Sequence, residues 1–80
     1  MLRLRKKEIK DGIVYYYYQP EGKGEWGLVY FVIDSGKFGY EYLSENDKAD
    51  WYYYRFHAYN RIERYIQENN FPEKDLVAWG

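Results

Sequence analysis

Residues Trp51 to Ile66, WYYYRFHAYNRIERYI, carry the one long helical pattern in a chain of 80 residues. Ala49, Tyr52, Phe56, Tyr59, Ile62 and Ile66 recur at steps of three and four, the stripe of an amphipathic helix and not the alternation of a strand. Arg55, Asn60, Arg61, Glu63, Arg64 and Gln67 fill the opposite side, and a second row of Trp51, Tyr54, Ala58 and Tyr65 widens the apolar face. The spacing predicts a helix covered on several sides with Phe56 in the core, where truncation to alanine costs about 3–5 kcal/mol. Ser44 or Asn46 is expected to cap its start, with Asp47 and Asp50 in the first turn against the positive end of the helix dipole. Asn69, Asn70 and Pro72 supply the stop.

The rest of the chain reads as strands. Arg3 to Ile9 places Leu2 and Leu4 on one face and positive charge on the other, and Lys10-Asp11-Gly12 signals a tight hairpin. Ile13 to Gln19, Glu25 to Ile33 and Lys37 to Leu43 follow, separated by turns at Pro20–Gly24 and Asp34-Ser35-Gly36. Short loops force antiparallel neighbours. The expected fold is therefore α+β, a single domain over 1–80. A four-stranded antiparallel meander (β-β-β-β-α) carries one long C-terminal helix on one face. The first and fourth strands are expected at the edges, where Lys and Arg discourage further pairing. Asp75 to Trp79 is free to add a short fifth strand or to pack as a tail.

This arrangement raises a question of coverage. The third strand presents Trp26, Leu28, Tyr30 and Val32 on one face and Val29, Phe31 and Ile33 on the other. The second has Ile13, Tyr15 and Tyr17 against Val14, Tyr16 and Tyr18. Neither has a polar face, as though both sides of the sheet were covered. Four strands make a sheet roughly 19 Å wide at ~4.8 Å spacing, whereas a helix covers a stripe about 10 Å across. Sheet curvature, the tail with Leu76, Val77 and Trp79, a second copy or a ligand is expected to cover the rest, the alternative being a wet aromatic layer with no partner. The expected interaction surface is the aromatic face holding Tyr16, Tyr18, Val29, Phe31, Phe38 and Tyr40. The expected partner is a second copy, giving a homodimer, or a larger protein.

Composition narrows the function classes. There is no cysteine, hence no disulfide and no thiolate metal site, which fits a reducing cytoplasm. Nothing at the start resembles a signal peptide, and no apolar run approaches the ~20 residues that span a membrane. Gly22-Lys23-Gly24-Glu25-Trp26-Gly27 matches a dinucleotide fingerprint by letters. It lies in a turn and enters a strand, whereas that motif needs a helix N-terminus behind it. Gly27 instead marks a bulge or a ring packed over it. His57 is the one histidine and the chain has no threonine, so neither a metal set nor a nucleophile with its base is evident. The acidic cluster Glu45, Asp47 and Asp50 lacks the spacing of a calcium loop. No catalytic residue and no cofactor is expected. The alternative to self-association is single-stranded nucleic acid, held by sheet rings beside Arg3, Arg5, Lys6, Lys7 and Lys10. Against it stands a formal net charge of −1, since dedicated binders are usually basic.

Overall fold

The computed structural model describes residues 1–79. Six elements follow one another: β1 (Leu2–Lys10), β2 (Ile13–Pro20), β3 (Gly27–Val32), β4 (Phe38–Tyr42), α1 (Tyr54–Glu68) and β5 (Lys74–Val77). They form an antiparallel sheet in the order β4-β3-β2-β1-β5 with one helix, so the α+β meander and the short fifth strand both hold. Asp11 and Gly12 take positive φ in the first hairpin turn, as the Asp-Gly pair predicts.

Three expectations are corrected. First, β1 is not an edge strand. The chain returns along it after the helix, and Leu2, Arg3, Leu4 and Arg5 pair with Val77, Leu76, Asp75 and Lys74. The edges are β4 and β5. Second, no side chain caps the helix, and its first turn holds no acid. The helix begins at Tyr54, so Ser44, Asn46 and Asp47 lie too far upstream. They hold the preceding loop instead: the Ser44 hydroxyl donates to the Glu25 carbonyl at 2.7 Å and the Asn46 amide to the Lys23 carbonyl at 2.8 Å. The stop is as read, with Asn69 left-handed at φ 51°.

Third, the buried helix stripe is rotated. Arg55, Ala58, Tyr59, Ile62 and Tyr65 are buried, whereas Tyr52 and Phe56 are exposed. A buried arginine is costly unless paired and hydrogen-bonded, and Arg55 is both. Its Nε donates to Asp47 Oδ2 at 3.1 Å, and its Nη2 donates to the carbonyls of Lys48 and Ala49. The rings of Tyr40 and Tyr52 lie 5.0 and 5.5 Å from the guanidinium carbon. Tyr18 joins the same carboxylate, its hydroxyl donating to Asp47 Oδ2 at 2.6 Å and accepting from the Ser44 amide. This network stitches the loop after β4 to the core, and its charged partners lie eight residues apart, with no helical spacing to mark them.

The helix lies across one face of the sheet, against β1, β2, β3 and β5. Leu2, Leu4, Val14, Tyr16, Tyr18, Val29, Phe31 and Val77 meet Ala58, Tyr59, Ile62 and Tyr65 there as one core. At the far end Asp75 Oδ2 accepts from Arg61 Nη1 at 3.0 Å and from the Tyr65 hydroxyl. The Tyr16 hydroxyl donates to the Pro72 carbonyl at 2.7 Å. Both ends of the closed face are thus tied by buried or half-buried polar groups, and among the described residues no buried side-chain N or O lacks a partner.

Candidate functional site

The pleat decides which side chains remain open. Register pairs Lys10 with Ile13, Ile9 with Val14 and Glu8 with Tyr15, then passes over Lys7 to pair Lys6 with Tyr16. Lys7 is therefore the extra residue of a β-bulge. Beyond it Leu4 faces Tyr18 and Arg5 faces Tyr17. A one-residue slip exchanges the two faces of a strand, so the bulge is what sends Leu2 and Leu4 under the helix and Arg3 and Arg5 to the other side.

The expected interaction residues are brought together, but on the closed side. Tyr16, Tyr18 and Val29 are fully buried and Phe31 nearly so. They are core, which is the correction to their reading as a surface. Burial pushes the phenols of Tyr16 and Tyr18 well above the ordinary tyrosine value. Glu73 and Asp75 raise Tyr16 further, and the Asp47 hydrogen bond raises Tyr18. Phe38 and Tyr40 belong to the same face but lie at its margin on β4, where they are 48% and 41% exposed.

That margin is the first open region. The β4 residues Phe38 and Tyr40 are exposed, as are Tyr52 and Phe56 from the loop and helix beside them, whereas Tyr42, past the register shift, stands opposite Leu28 on the outer face. The rings touch one another: Phe38 lies 4.3 Å from Tyr59 and 6.2 Å from Tyr52 between centroids, and Tyr52 lies 6.1 Å from Phe56. β4 pairs only with β3, so one side of its backbone has no strand against it. Its single charge is Glu41, which sits where the register with β3 shifts.

The outer face is the second open region. Ile13, Tyr15 and Tyr17 of β2 stand opposite Val32, Tyr30 and Leu28 of β3, all on the side away from the helix. The tail does not cover them, because it adds β5 to the sheet edge and leaves Leu76 exposed. Trp79 turns instead to the helix, stacking on His57 at 3.8 Å with planes 7° apart. Gly39 opposes Tyr30, and a Cβ there would overlap the Tyr30 hydroxyl, so the glycine makes room for that ring on the outer face. Gly27 does the same for Tyr18 on the closed face, as the sequence suggests.

The basic residues divide accordingly. Arg3 and Arg5 stand on the outer face, and Lys7 joins them with its ammonium 5.6 Å from the Tyr15 ring. Lys10 stands opposite Ile13, again on this side, and Lys74 opposite Arg5. The Arg5 guanidinium lies 5.2 Å from the Trp26 ring. Lys6 alone turns to the closed side, donating to the Phe71 carbonyl and pairing with Glu73 at 3.0 Å. Two shallow depressions flank the Arg5–Trp26 pair. One, of about 520 Å³, is bordered by Met1, Arg3, Lys74 and Leu76. The other, of about 290 Å³, is bordered by Tyr17, Glu25 and Tyr42.

Among the described residues, neither region brings a serine hydroxyl to the histidine. His57 is stacked on Trp79, the Ser44 hydroxyl is spent on a carbonyl, and the Ser35 hydroxyl accepts from the Lys37 amide. Comparison with protein-family models, curated proteins and solved structures finds no match to this chain.

Proposed function

We propose that this chain is a non-catalytic binding protein that self-associates, two copies joining through the β4 edge. The observation that carries the proposal is the open edge strand beside a contiguous patch of exposed rings. An unpaired strand edge is a template for another strand, and most homodimers use one surface twice across a two-fold axis. An antiparallel pairing about Gly39 sets Phe38 of each copy against Tyr40 of the other. The exposed rings Tyr52 and Phe56 then extend the contact beyond the strands, giving it an aromatic centre of the kind that dominates interface energetics. The tyrosine-rich composition, which a lone helix leaves under-covered, supports the same reading. A reducing cytoplasm is part of it, supported by the cysteine-free chain.

Sedimentation velocity across the micromolar range tests this. The expected result is a dimer that Phe38→Lys converts to a folded monomer, while Arg64→Glu on the exposed side of the helix leaves it intact. A wild-type monomer at high micromolar concentration rejects self-association. It leaves the edge to a larger protein that adds a strand of its own.

A further inference from the structure

The outer face is distinct from the β4 edge in chemistry as well as in place, and what it presents is not what a second copy of the same face would match. Five cations stand on it or at its border: Arg3, Arg5, Lys7, Lys10 and Lys74. Its acids are Glu8, which pairs with Lys7 at 3.6 Å, and Glu25 at the rim of the smaller depression. Asp75 also borders the larger depression, but its Oδ2 is taken by Arg61 and Tyr65 on the helix side. The chain as a whole carries 12 basic and 13 acidic residues, so this face is the positive pole of a nearly neutral molecule.

Beside the cations run half-buried rings. Tyr15 and Tyr30 pair across β2 and β3 with centroids 6.5 Å apart, Tyr17 continues the row, and Trp26 closes it beneath Arg5. The two chemistries lie on adjacent strands, about 4.8 Å apart at the spacing of a sheet. A strip of positive charge alongside a row of ring faces matches a chain that is anionic along one edge and carries flat apolar rings along the other.

We propose that this face binds single-stranded nucleic acid. The phosphates run along β1 and β5 against Arg3, Arg5, Lys7 and Lys74, and the bases stack on Trp26, Tyr17, Tyr15 and Tyr30. Arg5 and Lys7 already sit over rings, so a base inserting there gains a cation on one side and a ring on the other. The five-stranded face has room for a short segment, near the lower end of the ~4–16 nucleotides bound by single-strand modules. Duplex is excluded by its stacked bases, which cannot reach the rings. The proposal holds for monomer and dimer alike, since pairing at β4 leaves the outer face open.

The test is fluorescence anisotropy of a labelled oligothymidylate titrated with the full chain, with tryptophan emission read in parallel. Four phosphate contacts predict a log–log salt slope of about −2.8, or roughly 50-fold weaker binding between ~50 and ~200 mM salt. Tryptophan emission is quenched on binding, and Trp26→Leu, which keeps Trp51 and Trp79, removes the quench. Arg3→Glu with Arg5→Glu abolishes binding and Trp26→Leu weakens it at least about 10-fold, one strong stacking contact, whereas Arg64→Glu changes nothing. Amide shifts in the wild-type spectrum fall on Tyr15, Tyr17, Trp26 and Tyr30 and spare the helix, a readout that needs no variant to fold. Absence of binding at ~50 mM salt overturns the proposal. So does binding that heparin or polyglutamate matches and Trp26→Leu leaves unchanged, which identifies an acidic protein segment as the occupant.

Discussion

The two faces of this sheet carry the same number of tyrosines from β2, alternating along one run of four residues, and yet they have opposite fates. Tyr16 and Tyr18 are sealed beneath the helix, each with its hydroxyl satisfied by a partner more than twenty residues away. Tyr15 and Tyr17 are half-buried on the open side, beside Lys7 and Arg5. Tyrosine permits both fates because its ring is apolar and its tip is polar, so β2 by itself does not choose. The choice is made by β1, where Leu2 and Leu4 alternate with Arg3 and Arg5. An unpaired arginine costs too much beneath a helix, whereas Arg55 stays there because Asp47 and two carbonyls meet it.

The sharpest way to break the comparison is alkali. Burial raises the phenol pKa of Tyr16, Tyr18, Tyr59 and Tyr65, and hydrogen bonds to Asp47 and Asp75 add to Tyr18 and Tyr65. Each folded-state value lies above the unfolded one, so the folded chain holds protons that the unfolded chain releases. Their contribution is fully present below the ordinary tyrosine value of about 10 and is lost as pH rises above it. One pH unit above that value, four such groups together remove about 6 kcal/mol. That is comparable with the whole stability of a small domain, about 5–15 kcal/mol. Part of the absorbance of the twelve tyrosines should therefore appear in one steep step, together with the loss of far-ultraviolet circular dichroism. Gradual titration with the fold intact would show that these four rings are reached by solvent.

Next in size is a pair of truncations on neighbouring residues. Tyr18→Ala removes a buried ring and leaves Asp47 short of a donor, and is expected to cost about 3–5 kcal/mol in urea denaturation. Tyr17→Ala removes a half-exposed ring and is expected to cost about 1 kcal/mol, near the centre of ordinary point mutations. Equal costs would mean that the outer face is as closed as the inner one, and would count against both open regions at once.

Much of this architecture is legible in the sequence. The hairpin at Asp11-Gly12, the helix stop at Asn69 and the four strands follow from local rules, as does the shortage of cover for two apolar faces. Which face stays open is not legible, because it turns on Lys7. Counting back from the hairpin without a bulge puts Leu4 beside Tyr17 and Gln19; skipping one residue puts it beside Tyr18. Nothing in RLRKKEIK marks the skip. The rotated helix stripe has a similar cause. Arg55 reads as solvent-facing by its charge, and the carboxylate that lets it be buried lies in a loop outside the helix. The Asp75 contacts with Arg61 and Tyr65 that hold β5 are long-range in the same way. Of the candidate basic residues, Arg3, Arg5, Lys7 and Lys10 share the outer face, and the rings beside them are Tyr15, Tyr17, Tyr30 and Trp26. The alternation across β2 contains that answer once the face of Arg5 is known.

The smallest effect is the most discriminating for the helix. Phe56 and Tyr59 are three residues apart on α1, and a stripe running through both predicts the same large penalty for each. In the structure Phe56 is 49% exposed and Tyr59 4%. Phe56→Ala gives up half-exposed ring contacts with Tyr52 and His57 and gains helix propensity, alanine being the better helix former by several tenths of a kcal/mol. The expected net cost is under about 1 kcal/mol, against about 3–5 kcal/mol for Tyr59→Ala. Because Phe56 belongs to the exposed ring patch beside β4, its loss should still register elsewhere, as a weaker dimer in sedimentation with little change in the urea midpoint. A large loss of stability with unchanged association would restore Phe56 to the core and leave the β4 patch without its helical half.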